Sequence, residues 1–138
     1  MTIGELNALI TNGDLVAVAV ALRDNPAVIG QRTADGDSIL HIACWQKQLG
    51  IVGTILGYGP DVNATGCYGR TPLHYAVHEG RWISVPIVGM LLKAGANPLI
   101  RDAKGFSVED WAKIEMAEGL AEVVDMIHRG ARYPGVSP

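Results

Sequence analysis

Residues Asp35 to Ala43 read Asp-Gly-Asp-Ser-Ile-Leu-His-Ile-Ala, and 33 positions later Tyr68 to Ala76 read Tyr-Gly-Arg-Thr-Pro-Leu-His-Tyr-Ala. Gly, Leu, His and Ala recur in register, and Thr71 takes the place of Ser38. The downstream halves follow suit. Gly50-Ile51-Val52, Ile55-Leu56 and Gly59-Pro60-Asp61-Val62-Asn63 answer to Pro86-Ile87-Val88, Leu91-Leu92 and Gly95-Ala96-Asn97. A period of this length implies a stack of supersecondary units, none of which buries its apolar side alone. The expected architecture is therefore a stacked solenoid, and the helix signals that follow make it all-α.

Local chemistry supports two short helices per unit. A helix over Ile39 to Lys47 places Leu40 and Ala43 on one face, and a second over Ile51 to Gly57 presents Ile51, Ile55 and Leu56. Thr71-Pro72 sets a capping hydroxyl before a proline at the first helical position, and Ser107-x-x-Asp110 reads as a capping box. Gly59 and Gly95 stand where each second helix must stop, a position suited to the left-handed conformation.

The Thr-Pro-Leu-His-x-Ala run at Thr71 to Ala76, degraded at Ser38 to Ala43, resembles the hallmark of the ankyrin repeat. Asn12-Gly13-Asp14-Leu15 through Ala21-Leu22 is similar to the second half of a preceding repeat. Gly105 to Ala112 is similar to the start of a following one. The resemblance implies a small free-standing, bacterial-like member. Its solenoid would hold about four helix-turn-helix repeats with short β-hairpin-like loops, near 2–33, 34–66, 67–102 and 103–130. These form one domain over 1–130, followed by an irregular tail, 131–138. The outer faces are expected to be polar, with Glu5 and Asn7 at one end and Glu118, Glu122 and Asp125 at the other. Between Gly80 and Ile87 the third unit carries three extra residues, which displace or lengthen its second helix. Trp82, within that stretch, is either displayed on a loop or folded back on the stack.

Composition narrows the function. The 138 residues hold 11 basic and 14 acidic side chains, a net charge of -3 without the basic excess that phosphate neutralisation needs, so nucleic acid is not expected as a partner. The longest apolar run, Leu15 to Leu22, is eight residues, far short of a membrane span. The first residues lack the basic start and apolar segment of a secretory signal. With only Cys44 and Cys67 and no disulfide framework, a reducing cytoplasm is the expected setting, and a monomer the expected state.

Candidate chemistry is sparse. His74 and His78 are four apart and Cys67 and Glu79 lie near, a spacing compatible with a metal; but His74 and His41 hold the family's histidine position, which the resemblance implies ties adjacent loops by hydrogen bonds. His41-x-x-Cys44 could pair a base with a thiol, yet Cys44 stands where the family has a small buried alanine. Asp35 and Asp37 fall on a loop tip as solvated charges, and no phosphate-cradling glycine pattern is present. No cofactor or metal is expected.

What remains is a binding surface. The resemblance implies partner contacts from the loop tips and the exposed side of each first helix. Carried over position by position, these are Arg32, Asp35 and Asp37 with Trp45 and Gln46; Tyr68 and Arg70 with Tyr75, His78 and Glu79; Trp82; and Arg101, Lys104 and Phe106. Trp, Tyr and Arg are the side chains interfaces favour. Tyr75 and Phe106 have packing between repeats as the alternative. The expectation is a non-catalytic protein-interaction module, a scaffold or regulatory adaptor. An immunity or antitoxin-type inhibitor of a toxic enzyme is the alternative, and a metal- or thiol-dependent enzyme a distant third.

Overall fold

The computed structural model describes residues 1–77, 84–115 and 120–130. Eight α-helices run through the described residues: α1 (Ile3–Thr11), α2 (Leu15–Asp24), α3 (Ile39–Trp45), α4 (Leu49–Leu56), α5 (Pro72–Val77), α6 (Val85–Lys93), α7 (Val108–Glu115) and α8 (Leu120–Gly130). They pair as α1/α2, α3/α4, α5/α6 and α7/α8. Successive pairs stack so that α1, α3, α5 and α7 form one row and α2, α4, α6 and α8 the other. The solenoid expected from the repeat is the fold observed.

Caps decide where the helices begin. The Thr2 side chain accepts from the Glu5 N–H, and Asp14 accepts from the Ala17 N–H at 3.0 Å. In α3 the Ser38 hydroxyl accepts from the His41 N–H while the Ser38 N–H donates to His41 Nδ1. Thr71 and His74 repeat this arrangement. In α7, where Asp110 replaces the histidine, the Ser107 N–H donates to the Asp110 carboxylate at 3.0 Å, so the expected capping box is present.

Two helices differ from expectation in their bounds. Helix α3 ends at Trp45 rather than Lys47, because Lys47 takes a left-handed backbone with φ 56° that closes the turn. Helix α4 starts two residues before Ile51, at Leu49, and stops at Leu56. Gly59 and Gly95 do carry positive φ, 70° and 100°. The three extra residues of the third unit displace α6 rather than recast it: thirteen positions separate Thr71 from Ser84, which precedes α6, against ten from Ser38 to Gln48, which precedes α4.

The core is a continuous aliphatic seam between the rows. Leu6, Ile10, Leu22, Leu40, Ile51, Ile55, Leu73, Ile87, Leu91 and Leu92 are fully or almost fully buried, with Cys44 and Ala43 filling the tighter places. At about 25 cal/mol per Å² of apolar surface removed from water, each such side chain contributes roughly 1.5–3 kcal/mol, which makes this seam the main source of stability. At the ends, Glu5, Glu122 and Asp125 are exposed as expected, whereas Asn7 is half-buried and Glu118 lies outside the described residues. The first pair is less polar than expected, since Leu15, Val16 and Val20 of α2 are exposed, Val16 to 74%.

Candidate functional site: the loop tips and the row of first helices

The connections into α3, α5 and α7 are tight tips, each closed across its base by a backbone hydrogen bond. These bonds are Thr33 N–H to Asp37 O at 2.8 Å, Gly66 N–H to Arg70 O at 2.8 Å, and Asp102 N–H to Phe106 O at 2.9 Å. The tips are hairpin-like as expected, although no strand is formed among the described residues.

Histidines bind one tip to the next. The Ser38 N–H donates to His41 Nδ1, so Nε2 carries the proton and donates to the carbonyl of Arg70 at 2.9 Å. His74 Nε2 repeats the bond to the carbonyl of Phe106 at 3.0 Å. Both rings are completely buried, and desolvation holds the His41 pKa below its usual value, as a neutral ring accepting at Nδ1 requires. The inter-loop role expected of His41 and His74 is the one they perform. The other side of the stack has its own tie: Asn63 accepts from the Asn97 N–H at 2.7 Å and donates to the Gly95 carbonyl.

Asp37 departs from the solvated charge expected of it. Its carboxylate accepts from the Cys67 N–H at 2.9 Å and from the Tyr75 hydroxyl at 3.0 Å, joining one tip to the next tip and to the next first helix. A Cβ at position 66 would collide with Asp37 Oδ1, so Gly66 leaves the room this carboxylate occupies. Tyr75 is only 5% exposed, which places it as a wall between repeats rather than a protruding contact. Its ring stands edge-on to His41 and Trp45, with centroids 5.4 and 5.3 Å away. Burial first, and the neighbouring Asp37 charge second, push the Tyr75 phenol well above its ordinary range.

These side chains line an open depression of about 300 Å³, bounded by Asn7, Asp37, Ile42, Trp45, Gln46, Cys67, Tyr68, Arg70 and Tyr75. It brings together six of the expected contact residues: Asp37, Trp45, Gln46, Tyr68, Arg70 and Tyr75. At its rim Tyr68 holds a left-handed backbone, φ 55°, unusual for a bulky residue, and its ring is 63% exposed. The Arg70 guanidinium lies over both the Tyr68 and the Trp111 rings, at 5.3 and 5.4 Å from their centroids.

Other expected contacts lie elsewhere. Arg32 is exposed but spends its guanidinium on the Gly36 carbonyl of its own tip and the Thr65 carbonyl beside the next. Arg101 does the same to Gly105 and pairs with Asp110 at 3.2 Å. Asp35 and Lys104 are exposed on their tips, while Phe106 is half-buried, edge-on to Trp111. His78, Glu79 and Trp82 lie outside the described residues.

Two residues of this region escaped the sequence reading. Asp102 is buried on the last tip and accepts from the Trp111 indole at 2.6 Å and from the Phe106 and Lys104 N–H groups at 3.0 and 2.9 Å. Burial alone would raise its carboxyl; the bonds from Trp111, Phe106 and Lys104 outweigh it and hold the pKa below the usual carboxylate value. A signal existed, since Trp111 takes the first-helix position of Ile42 and Tyr75. Among the described residues no group of three His, Cys, Asp or Glu side chains could hold a metal ion. Cys44 is fully buried, and desolvation drives its thiol far above the range in which a thiolate forms. No helix among the described residues is long and apolar enough to cross a membrane.

Comparison with known proteins places this geometry. The family model for ankyrin repeats in three copies matches residues 6–102. The ADP-ribosylation factor GTPase-activating protein AGD2 of Arabidopsis thaliana is 37% identical over 90 residues, 65% of this chain. The putative E3 ubiquitin-protein ligase XBAT34 of the same plant is 38% identical over 95 residues, 67% of this chain. The inactive serine/threonine-protein kinase TEX14 of Mus musculus is 27% identical over 126 residues, 91% of this chain. The chain spans 11%, 24% and 8% of the length of these three relatives.

Proposed function

The chain belongs to the ankyrin-repeat family, whose repeats generally serve as protein-interaction modules, and we propose that it binds a protein partner through its loop tips and the adjoining row of first helices. It acts as a non-catalytic scaffold or regulatory adaptor, in the cytoplasm and as a monomer when alone, with α7 and α8 as a fourth, terminal repeat. The observation that carries this reading is the depression between the tips and α1, α3 and α5, where Trp45, Gln46, Tyr68 and Arg70 surround the buried Tyr75. Its residues come from three successive helix pairs, so the surface exists only in the stacked molecule. Trp45 and Tyr68 offer wide, rigid contact area at low entropic cost, and Arg70 offers forked hydrogen bonding, the combination from which interface hot spots are built. Arg32, Asp35, Arg101, Lys104 and Phe106 extend the contact along the tips.

The test is capture of partners from the source cell's lysate on the immobilised protein, beside a Trp45→Ala, Tyr68→Ala, Arg70→Ala variant shown by circular dichroism to be folded. Capture of a partner by the wild type and its loss in the variant would support the reading. Equal capture by both would overturn it.

A further inference from the structure

Among the arginines of the loop tips, Arg70 alone keeps its guanidinium unspent. Arg32 donates to the Gly36 and Thr65 carbonyls and Arg101 to the Gly105 carbonyl and Asp110, whereas Arg70 makes no side-chain hydrogen bond or ion pair with any described residue. Its Nε is buried without an acceptor. Tyr68 and Trp111 both hold a ring against the group, at 5.3 and 5.4 Å, and the attraction of each ring for the cation helps to fix its position. Folding has thus stripped part of the water from a cation and supplied no direct ion-pair partner among the described residues. Asp37, which lines the same depression, gives its oxygens to the Tyr75 hydroxyl and the Cys67 N–H instead.

We propose that Arg70 is the receptor for a carboxylate side chain on a peptide segment of the partner, Asp or Glu, gripped by the terminal nitrogens of the guanidinium; this rests on the binding surface proposed above. Charge supports that occupant. On the second and third tips Arg70, Arg101 and Lys104 stand against Asp102, which is buried and turned to Trp111, and Asp110, which is paired with Arg101. The chain is acidic overall, yet this stretch of its surface presents cations. A doubly charged phosphate is the poorer fit, because it calls for several cations or converging backbone N–H groups. Here one guanidinium stands against two aromatic rings, and the Asp37 carboxylate lies nearby.

A random dodecapeptide library displayed on phage and panned on the full chain tests this without knowledge of the partner. Selected peptides are synthesised, and their affinities measured by calorimetry for the wild type, Arg70→Gln and the control Arg23→Gln, each first checked for wild-type circular dichroism. The expected peptides share an acidic residue. Changing that residue to its amide, or Arg70 to Gln, weakens binding about tenfold, and the two changes together weaken it no further, the signature of one broken contact. Arg23→Gln leaves affinity unchanged. Absence of a shared acidic residue, or additive losses in the double change, would overturn the proposal. So would a phosphoserine at that position binding more tightly through Arg70 than the carboxylate does. Should lysate capture be lost with Trp45→Ala but kept with Arg70→Gln, the binding surface stands and the carboxylate receptor falls.

Discussion

The Nε2 proton of His41 points at the backbone carbonyl of Arg70, 2.9 Å away, so a side chain buried in one repeat fixes the loop tip of the next. His74 makes the same bond to Phe106 at 3.0 Å, and the tips are thereby chained in order. The position of Arg70, and with it the rim of the depression, depends on a fully buried histidine.

Replacing His41 or His74 by alanine removes this bond and the one accepted at Nδ1, leaving a buried carbonyl and a buried N–H unpaired. Each variant should lose about 2–4 kcal/mol of stability, read as a lower urea midpoint at unchanged slope. A loss below about 0.5 kcal/mol would contradict the inter-loop role.

The buried His41 ring predicts an acid-sensitive fold. The unfolded chain protonates this residue near 6.5, whereas the folded chain resists until a lower pH because burial disfavours the imidazolium. The stability due to the neutral ring is therefore complete above about pH 6.5 and declines as pH falls from there toward the folded value. Urea midpoints measured from pH 7.5 to pH 5 should fall for the wild type and fall less for His41→Gln.

Gly66→Ala should be destabilising out of proportion to its size. The added methyl group would meet Asp37 Oδ1 and press toward His41 Nε2, 3.1 Å away, so the tip must shift by about the cost of overpacking, roughly 1–3 kcal/mol. The companion change Asp37→Gly should relieve part of that cost, and a double-mutant cycle in urea would show the coupling.

Asp102→Ala would strip acceptors from the Trp111 indole and from the Lys104 and Phe106 N–H groups at once. A loss of about 2–3 kcal/mol and a red shift of tryptophan emission are expected as Trp111 gains water. The wild-type contribution should itself fade in strong acid. This carboxyl titrates lower in the folded chain than its usual 3.8, so its stabilisation is present above that value and is lost as pH falls through the folded pKa.

The two cysteines should separate kinetically. In native protein a thiol reagent should label Cys67, which is half-exposed beside the depression, and leave Cys44 untouched until urea opens the core. Labelling of both at one rate under native conditions would show that the α3 seam is loosely packed.

The sequence by itself determined the solenoid through its 33-residue period, the capping residues Thr71 and Ser107 and the left-handed glycines after α4 and α6 through local signals, and the inter-loop histidines through the resemblance to the ankyrin repeat. All of these are set by bonds spanning a few residues or by strict recurrence of one position in the next unit, so identity and spacing suffice. The tertiary structure alone decided where the charges and rings of the proposed binding surface go. Asp37 and Arg70 occupy the same place in successive repeats, yet one is consumed by Tyr75 and Cys67 while the other lies against Tyr68 and Trp111. Both outcomes join positions that are not equivalent in the repeat. Which of these meet depends on the offset and rotation of one helix pair on the next, and that is set by how the buried aliphatic seam packs, a collective property that no window of sequence contains.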